Sequence, residues 1–208
     1  STSDLFVWVH THGWKTPGRI AMVTVLDKLK SLKVPTMTYH LDLWFGLQRV
    51  QDLRRDPVYK HIGHFFTVDA QMADWFNLNT NVKGHYLPAG VFADEATYKK
   101  FNIANDVIFV GSKQYHREWE YRPKLVNWLQ ETYKERFKHF GKDGLGIKRG
   151  QDLNDLYAST KVVIGDTLCP KFTYPSYWSD RIYETLGRGG FLIHPYIQGL
   201  EKEFTNKA

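Results

Sequence analysis

The stretch SDRIYETLGRGG, residues 179–190, is the most informative part of this chain, because it predicts a short helix that ends at glycines. Ser179 is a good N-cap residue, and a glycine-rich end is typical of a helix C-terminus. The apolar run FLIHP, residues 191–195, follows at once and is typical of a buried strand. The sequence therefore predicts a helix, a tight turn and a strand, which together form a unit of an α/β protein.

One face of this helix is polar. Its side chains recur at helical spacing and are Arg181, Glu184, Thr185 and Arg188. An apolar stripe is expected to pack inward, and its members are Ile182, Tyr183 and Leu186. A helix N-terminus favours anions, and a carboxylate accepts hydrogen bonds from paired hydroxyl groups. The polar face therefore predicts a ligand that carries phosphates and hydroxyls; the alternative is the solvated face of an amphipathic helix.

Composition sets limits on the class of protein. The chain has 208 residues, of which 42% are hydrophobic and 15% aromatic, enough for one large or two small domains. The net charge of +6 favours an anionic partner: a phosphorylated small molecule, nucleic acid or an acidic membrane surface. No apolar run reaches the ~18 residues of a membrane span and no leader is recognised, so we expect a cytoplasmic protein. The single cysteine, Cys169, excludes an internal disulfide and a cysteine-based zinc cluster.

Continuous apolar runs alternate with helical periodicity along the whole chain. In the first half, strands are predicted over residues 5–9, 34–39, 63–69 and 82–87, and helices over 22–32 and 70–77. In the second half, strands are predicted over 105–111 and 161–166, and helices over 122–137 and 152–158. This alternation is typical of βαβ units and predicts an α/β fold with parallel sheets.

Polar residues follow the first two predicted strands. His10, His12 and Gly13 come after the first strand, and His40 and Asp42 after the second. Because ligands bind at the carboxyl ends of parallel strands, these residues are candidates for a binding site. The spacing of His10 and His12 also suits a metal ion, but the sequence offers no third ligand, so we predict no metal site.

The segment YWSDRIYETLGRGG, residues 177–190, resembles the donor-site segment of GT-B-fold glycosyltransferases, in particular the CgeB-like and family 4-like groups. Those groups share the pattern S-x-R-x-x-E-x-x-x-x-G-G. The resemblance implies that Ser179 and Arg181 face the diphosphate of a nucleotide sugar and that Glu184 holds the ribose hydroxyls. It also assigns Gly189 and Gly190 to the donor site. Ser176 stands where many family 4 enzymes have another glutamate.

The same resemblance implies two Rossmann-like parallel-sheet domains that face a cleft. Residues 1–92 would form the acceptor-side domain, in which the family's first strand has no counterpart. Residues 93–208 would form the domain that binds the donor. The family's terminal helices also have no counterpart, so the resemblance implies a trimmed or reduced member.

A second donor-side element is implied after the strand at 105–111. There Gly111 would let the backbone approach the diphosphate, while Lys113, Arg117 and Arg122 would neutralise it through charge-assisted hydrogen bonds. The sequence does not decide which of the three basic residues makes the contact. In the alternative interpretation, Arg122 and the proline after it begin a helix.

On the acceptor side, the resemblance implies that His40 positions a sugar hydroxyl or the leaving group. Asp42 would orient the imidazole or accept the acceptor proton. His10, His12 and Gly13 would line the same side. The alternative is that His40 is a structural histidine at the edge of the sheet.

The function implied is transfer of a sugar from a nucleotide-diphosphate sugar to an unidentified acceptor, with retention at the anomeric carbon. The nucleotide sugar is a co-substrate, and neither another cofactor nor a required metal is expected. A GT-B-like module that binds a nucleotide or polyanion without transferring sugar is one alternative. A second is a phage-type enzyme that glycosylates a DNA base. The sequence leaves the acceptor and the oligomeric state open.

Overall fold

The computed structural model describes residues 3–10, 18–41, 57–94, 96, 102–114, 119–167 and 174–204. The chain separates into two compact units. Unit 1 comprises Ser1–Ala89 with Pro175–Tyr177, and unit 2 comprises Gly90–Tyr174 with Trp178–Ala208. The division after residue 92 into an acceptor and a donor domain stays a prediction.

Unit 1 contains a four-stranded parallel sheet in the order β1-β2-β3-β4. Its strands are β1 (Phe6–His10), β2 (Thr36–His40), β3 (His64–Thr67) and β4 (Lys83–Tyr86). Its helices are α1 (Arg19–Ser31), α2 (Pro57–His61) and α3 (Ala70–Asn79). Each strand is followed along the chain by its immediate neighbour in the sheet, always in the same direction across the sheet. Right-handed crossovers in one direction place the connecting helices on one face of the sheet.

The core of unit 1 lies between that face and the helices. Tyr59, Phe65 and Phe76 form an aromatic cluster there, with the rings of Phe65 and Phe76 4.7 Å apart. Asp69 caps α3, because its Oδ1 accepts a hydrogen bond of 3.2 Å from the backbone N–H of Met72.

Unit 2 contains a second four-stranded parallel sheet, in the order β6-β5-β7-β8. Its strands are β5 (Asn105–Val110), β6 (Phe137–Phe140), β7 (Thr160–Ile164) and β8 (Leu192–Ile193). Its helices are α4 (Tyr121–Tyr133), α5 (Gly150–Ala158), α6 (Arg181–Gly187) and α7 (Leu200–Glu203). The strand order changes direction between β5 and β7, and open α/β sheets bind ligands at the carboxyl ends of the strands at such a point.

Strand β5 is apolar on both faces because both are covered. Val107 and Phe109 pack with Leu129 of α4, whereas Ile108 packs with Tyr157 of α5. The continuous apolar run that predicted this strand is the expected composition for a strand buried on both sides.

The predicted α/β class with parallel sheets is confirmed. Three short elements were not predicted: α2, β6 and α7. The helix predicted over 122–137 ends at Tyr133, where Lys134 has a φ of 49° in the left-handed region, and β6 begins at Phe137. Among the described residues, no helix is both long and apolar enough to cross a membrane.

Candidate functional site

The carboxyl ends of β5 and β7 bring polar side chains together inside unit 2. Asp166 follows β7 and is fully buried, with 0% of its surface exposed. Its Oδ2 accepts hydrogen bonds from Arg122 Nε at 2.7 Å and from Trp119 Nε1 at 3.4 Å, and its Oδ1 accepts one from Arg181 Nη1 at 3.0 Å. Its carboxylate therefore joins two guanidinium groups.

Backbone carbonyl groups hold the same two arginines from the other side. Arg181 Nε donates to the Val110 oxygen at 2.9 Å, and Arg122 Nη1 donates to the Ser112 oxygen at 3.2 Å. Both guanidinium carbons lie over the ring of Phe109, at 5.8 Å for Arg122 and 5.0 Å for Arg181. Buried charges need such partners, so the cluster fixes both side chains at the end of the sheet.

Gly111, predicted to give a diphosphate access to the backbone, makes room for Arg181 in this structure. Its φ is 140°, in the region that favours glycine, and an ideal Cβ there would lie 2.7 Å from Arg181 Nη2. A side chain at position 111 would therefore displace the guanidinium group from the cluster.

The loop that follows Gly111 is held by the segment after β6. The Asp143 carboxylate accepts hydrogen bonds from the backbone N–H of Lys113, at 2.9 and 3.1 Å, and His139 Nε2 lies 2.7 Å from the Gly111 oxygen. Burial works to raise the pKa of Asp143, but the backbone N–H groups bring it below its usual value. The Lys113 ammonium makes no hydrogen bond or ion pair with the described residues, so it can meet an anion, whereas the Arg122 guanidinium is bonded to Asp166.

Helix α6 buries the face that the sequence pattern left polar. Arg181 and Thr185 are buried. Of the stripe expected to pack inward, Ile182 is buried as predicted, while Leu186 is 45% exposed. The reason is that the helix turns its polar side chains toward the Asp166 cluster and toward α5. Glu184 is partly buried; loss of hydration, and after it the charge of Asp180, raise the pKa of its carboxyl group.

Three of the predicted donor residues have structural roles at the two ends of α6. Ser179 Oγ accepts a hydrogen bond of 3.2 Å from the Arg181 N–H at the start of the helix. At its end, Gly190 N donates to the Thr185 oxygen at 2.9 Å and Gly189 N to the Leu186 oxygen at 3.0 Å. This is a Schellman motif, in which Gly189 takes the left-handed conformation with a φ of 74°.

His194 belongs to the same cluster and was not predicted. Its Nε2 lies 3.2 Å from the Asp166 carbonyl oxygen and its Nδ1 lies 2.7 Å from that of Pro195. Burial lowers the pKa of this histidine. The feature of the sequence that could have identified His194 is its position at the carboxyl end of the strand predicted over 191–195.

The acceptor-side candidates lie in unit 1. The backbones of His10 and His40 are neighbours, since the two residues are register partners in β1 and β2. The His40 side chain is fully buried, with its ring 6.5 Å from that of Phe65. The acceptor-side candidates His12, Gly13 and Asp42 lie outside the described residues, and so does the donor-side candidate Arg117.

Among the described residues, no three His, Cys, Asp or Glu side chains form a group that could hold a metal ion. A comparison with protein-family models and with curated proteins found no match for this chain.

Proposed function

We propose that this chain is a GT-B-like glycosyltransferase that transfers a sugar from a nucleotide-diphosphate sugar to an unidentified acceptor. The observation that carries the proposal is the position of Arg181 and Glu184 on one short helix, beside the carboxyl ends of the switch-point strands. A cation and a carboxylate at this place suit a ligand that has both a diphosphate and a ribose.

The donor is assigned to unit 2. Glu184 accepts hydrogen bonds from the ribose hydroxyls, and the Lys113 ammonium meets the diphosphate. Arg122 and Arg181 are almost fully buried and already bonded to Asp166, so they act mainly by holding a positive potential beneath the phosphates. When the bond between the anomeric carbon and the diphosphate breaks, this potential stabilises the charge that develops on the leaving oxygen.

The acceptor is assigned to unit 1, where Asp42 has the role that the resemblance implies and His10, His12 and Gly13 are further candidates. His40 is fully buried, so its assignment to catalysis depends on the test described in the Discussion. Retention at the anomeric carbon and independence of a metal belong to the same proposal. A direct test is to incubate the protein with UDP-, GDP- and ADP-sugars and follow donor hydrolysis. Nucleotide binding without hydrolysis or transfer would instead identify a binding module.

Replacing Glu184 by alanine is expected to weaken nucleotide diphosphate binding by roughly ten- to a hundredfold. The reason is that a charge-assisted hydrogen bond to a hydroxyl contributes about 1.5–3 kcal/mol. Calorimetric titration with UDP, GDP and ADP measures the change. Glu131→Ala removes an exposed carboxylate from α4 and is the matched control, with no expected effect. Equal affinity in the two variants would contradict the assignment of Glu184.

Nucleotide affinity is also expected to fall as the solution becomes acidic, because Glu184 accepts hydrogen bonds from both ribose hydroxyls only when it is ionised. Its pKa is raised above the ordinary value of 4.5, so protonation and the loss of affinity begin at a higher pH than for an exposed glutamate. The Glu184→Gln variant lacks this titration and should show a flatter profile over the same range. An identical profile in both proteins would assign the pH dependence to another group.

A further inference from the structure

The sheet of unit 1 has a face that the described helices α1, α2 and α3 do not cover. Trp8 and Phe65 point to the helices, as their packing in the two core clusters shows. Side chains alternate along a strand, so the intervening residues point the other way. Val7 on this second face is 51% exposed.

The strand register arranges this second face in two rows across the sheet. The first row is Val7, Met37, His64 and Lys83, and the second is Val9, Tyr39, Phe66 and His85. Apolar side chains occupy β1, while rings and a cation occupy β3 and β4. We call the group of His64, Phe66, Lys83 and His85 the ring patch.

The rings of this patch are nearly parallel to one another and lie in contact. His64 Nδ1 lies 3.0 Å from His85 Nε2, and the two imidazole planes are within 12° of each other. The His85 ring stacks on Phe66, with centroids 4.5 Å apart and planes within 17°. The two imidazoles are thus parallel and joined by a hydrogen bond, and the parallel ring of Phe66 lies against His85.

We propose that the ring patch binds single-stranded nucleic acid by stacking a base on one of its rings. His64, Phe66 and His85 are partly exposed. Accessible rings beside basic side chains are the combination used by proteins that bind single strands without strong sequence preference. Exposed Lys83 lies in the neighbouring row and meets a backbone phosphate. The net charge of +6 attracts the same polyanion.

The chemistry of the patch favours this partner over a second protein. Lysine is depleted at the cores of protein interfaces, and an imidazole pair offers little aliphatic surface to bury. The inference does not rest on sugar transfer, because a polynucleotide can bind here whether or not it is the acceptor.

The test uses the full chain and a fluorescein-labelled oligodeoxythymidine of about 12 nucleotides, with binding followed by anisotropy at low salt. Phe66→Leu and His85→Leu keep apolar bulk but remove a stacking ring, and each is expected to weaken binding about tenfold. His85→Phe restores a ring without the imidazole hydrogen bond and should recover most of the affinity. Lys83→Ala should reduce the slope of log affinity against log salt by about 0.7.

Two controls separate stacking from general attraction and from misfolding. An abasic oligonucleotide of the same length should bind at least tenfold more weakly than oligodeoxythymidine, since it keeps the phosphates and lacks the bases. His61→Ala removes a histidine outside the patch, on α2, and should leave binding unchanged. Equal binding of the abasic strand, unchanged affinity in both leucine variants, or self-association through this face in place of oligonucleotide binding would overturn the proposal. Nucleotide affinity at Glu184 is measured separately, so either proposal can fail alone.

Discussion

Replacing Asp166 by alanine is expected to lower the free energy of unfolding of unit 2 by about 3–5 kcal/mol, because it leaves two buried guanidinium groups without their shared carboxylate. Asp166 is fully buried, and Arg122 and Arg181 are nearly so. Water therefore cannot replace the lost hydrogen bonds without opening the ends of β5 and β7. Hydrogen exchange of the backbone amides in β5 and β7 measures the stability of unit 2 separately from that of unit 1.

A matched control and a rescue make this expectation specific. Asp152→Ala removes an aspartate whose side chain is 75% exposed and should change stability by no more than about 0.5 kcal/mol. Replacing the cluster together, as Asp166→Leu with Arg122→Met and Arg181→Met, should recover most of the stability, since buried ion clusters can be exchanged for apolar side chains of similar volume. If Asp166→Ala is as stable as the control, the cluster does not hold these strands together.

Replacing His40 by alanine is expected to lower the free energy of unfolding by about 2–4 kcal/mol, because it removes a fully buried ring next to Phe65. The resemblance implies a different result, a loss of transfer rate of about 10²–10⁴-fold with stability unchanged. The burial of His40 favours the alternative stated from the sequence, a structural histidine. Denaturant unfolding together with a donor-hydrolysis assay distinguishes the two roles.

His40→Leu sharpens the comparison, because leucine keeps much of the buried volume while removing both ring nitrogens. A structural role predicts that this variant is more stable than His40→Ala and retains the hydrolysis rate. A catalytic role predicts that both variants are equally inactive. His61→Ala, whose ring is partly exposed and paired with Asp27 at 2.7 Å, controls for the loss of a histidine in unit 1. Stable but inactive variants at position 40 would restore the catalytic assignment.

The elements that could be predicted from the sequence share a strong local signal. The run NDVIFV needs two covering layers, and β5 has them in α4 and α5. Strand β6 was missed because FKHF follows a helical pattern without an obvious break. Its start depends on Lys134, whose left-handed backbone is not a conformation that lysine signals in a sequence.

For the candidate site, too, only part could be predicted from the sequence. Gly111, Arg181 and Glu184 were predicted to be site residues because they belong to recognisable motifs at strand and helix ends. What they contact depended on distant residues: Arg181 and Val110 are 71 positions apart, and Arg122 and Asp166 are 44 apart. A sequence pattern describes neighbours along the chain, so it could not show that Gly111 makes room for a guanidinium group.

By itself, the sequence determined that the chain alternates strands and helices into parallel sheets, since that follows from local periodicity and from glycine at the end of α6. Only the tertiary structure decided which face of α6 is buried and how the charges pair. Burial of a polar face becomes favourable when another strand supplies a partner such as Asp166. The hydrogen bonds between the paired charges then replace those that the side chains made with water. That partner is supplied by the strand order β6-β5-β7-β8, which places the ends of β5 and β7 side by side.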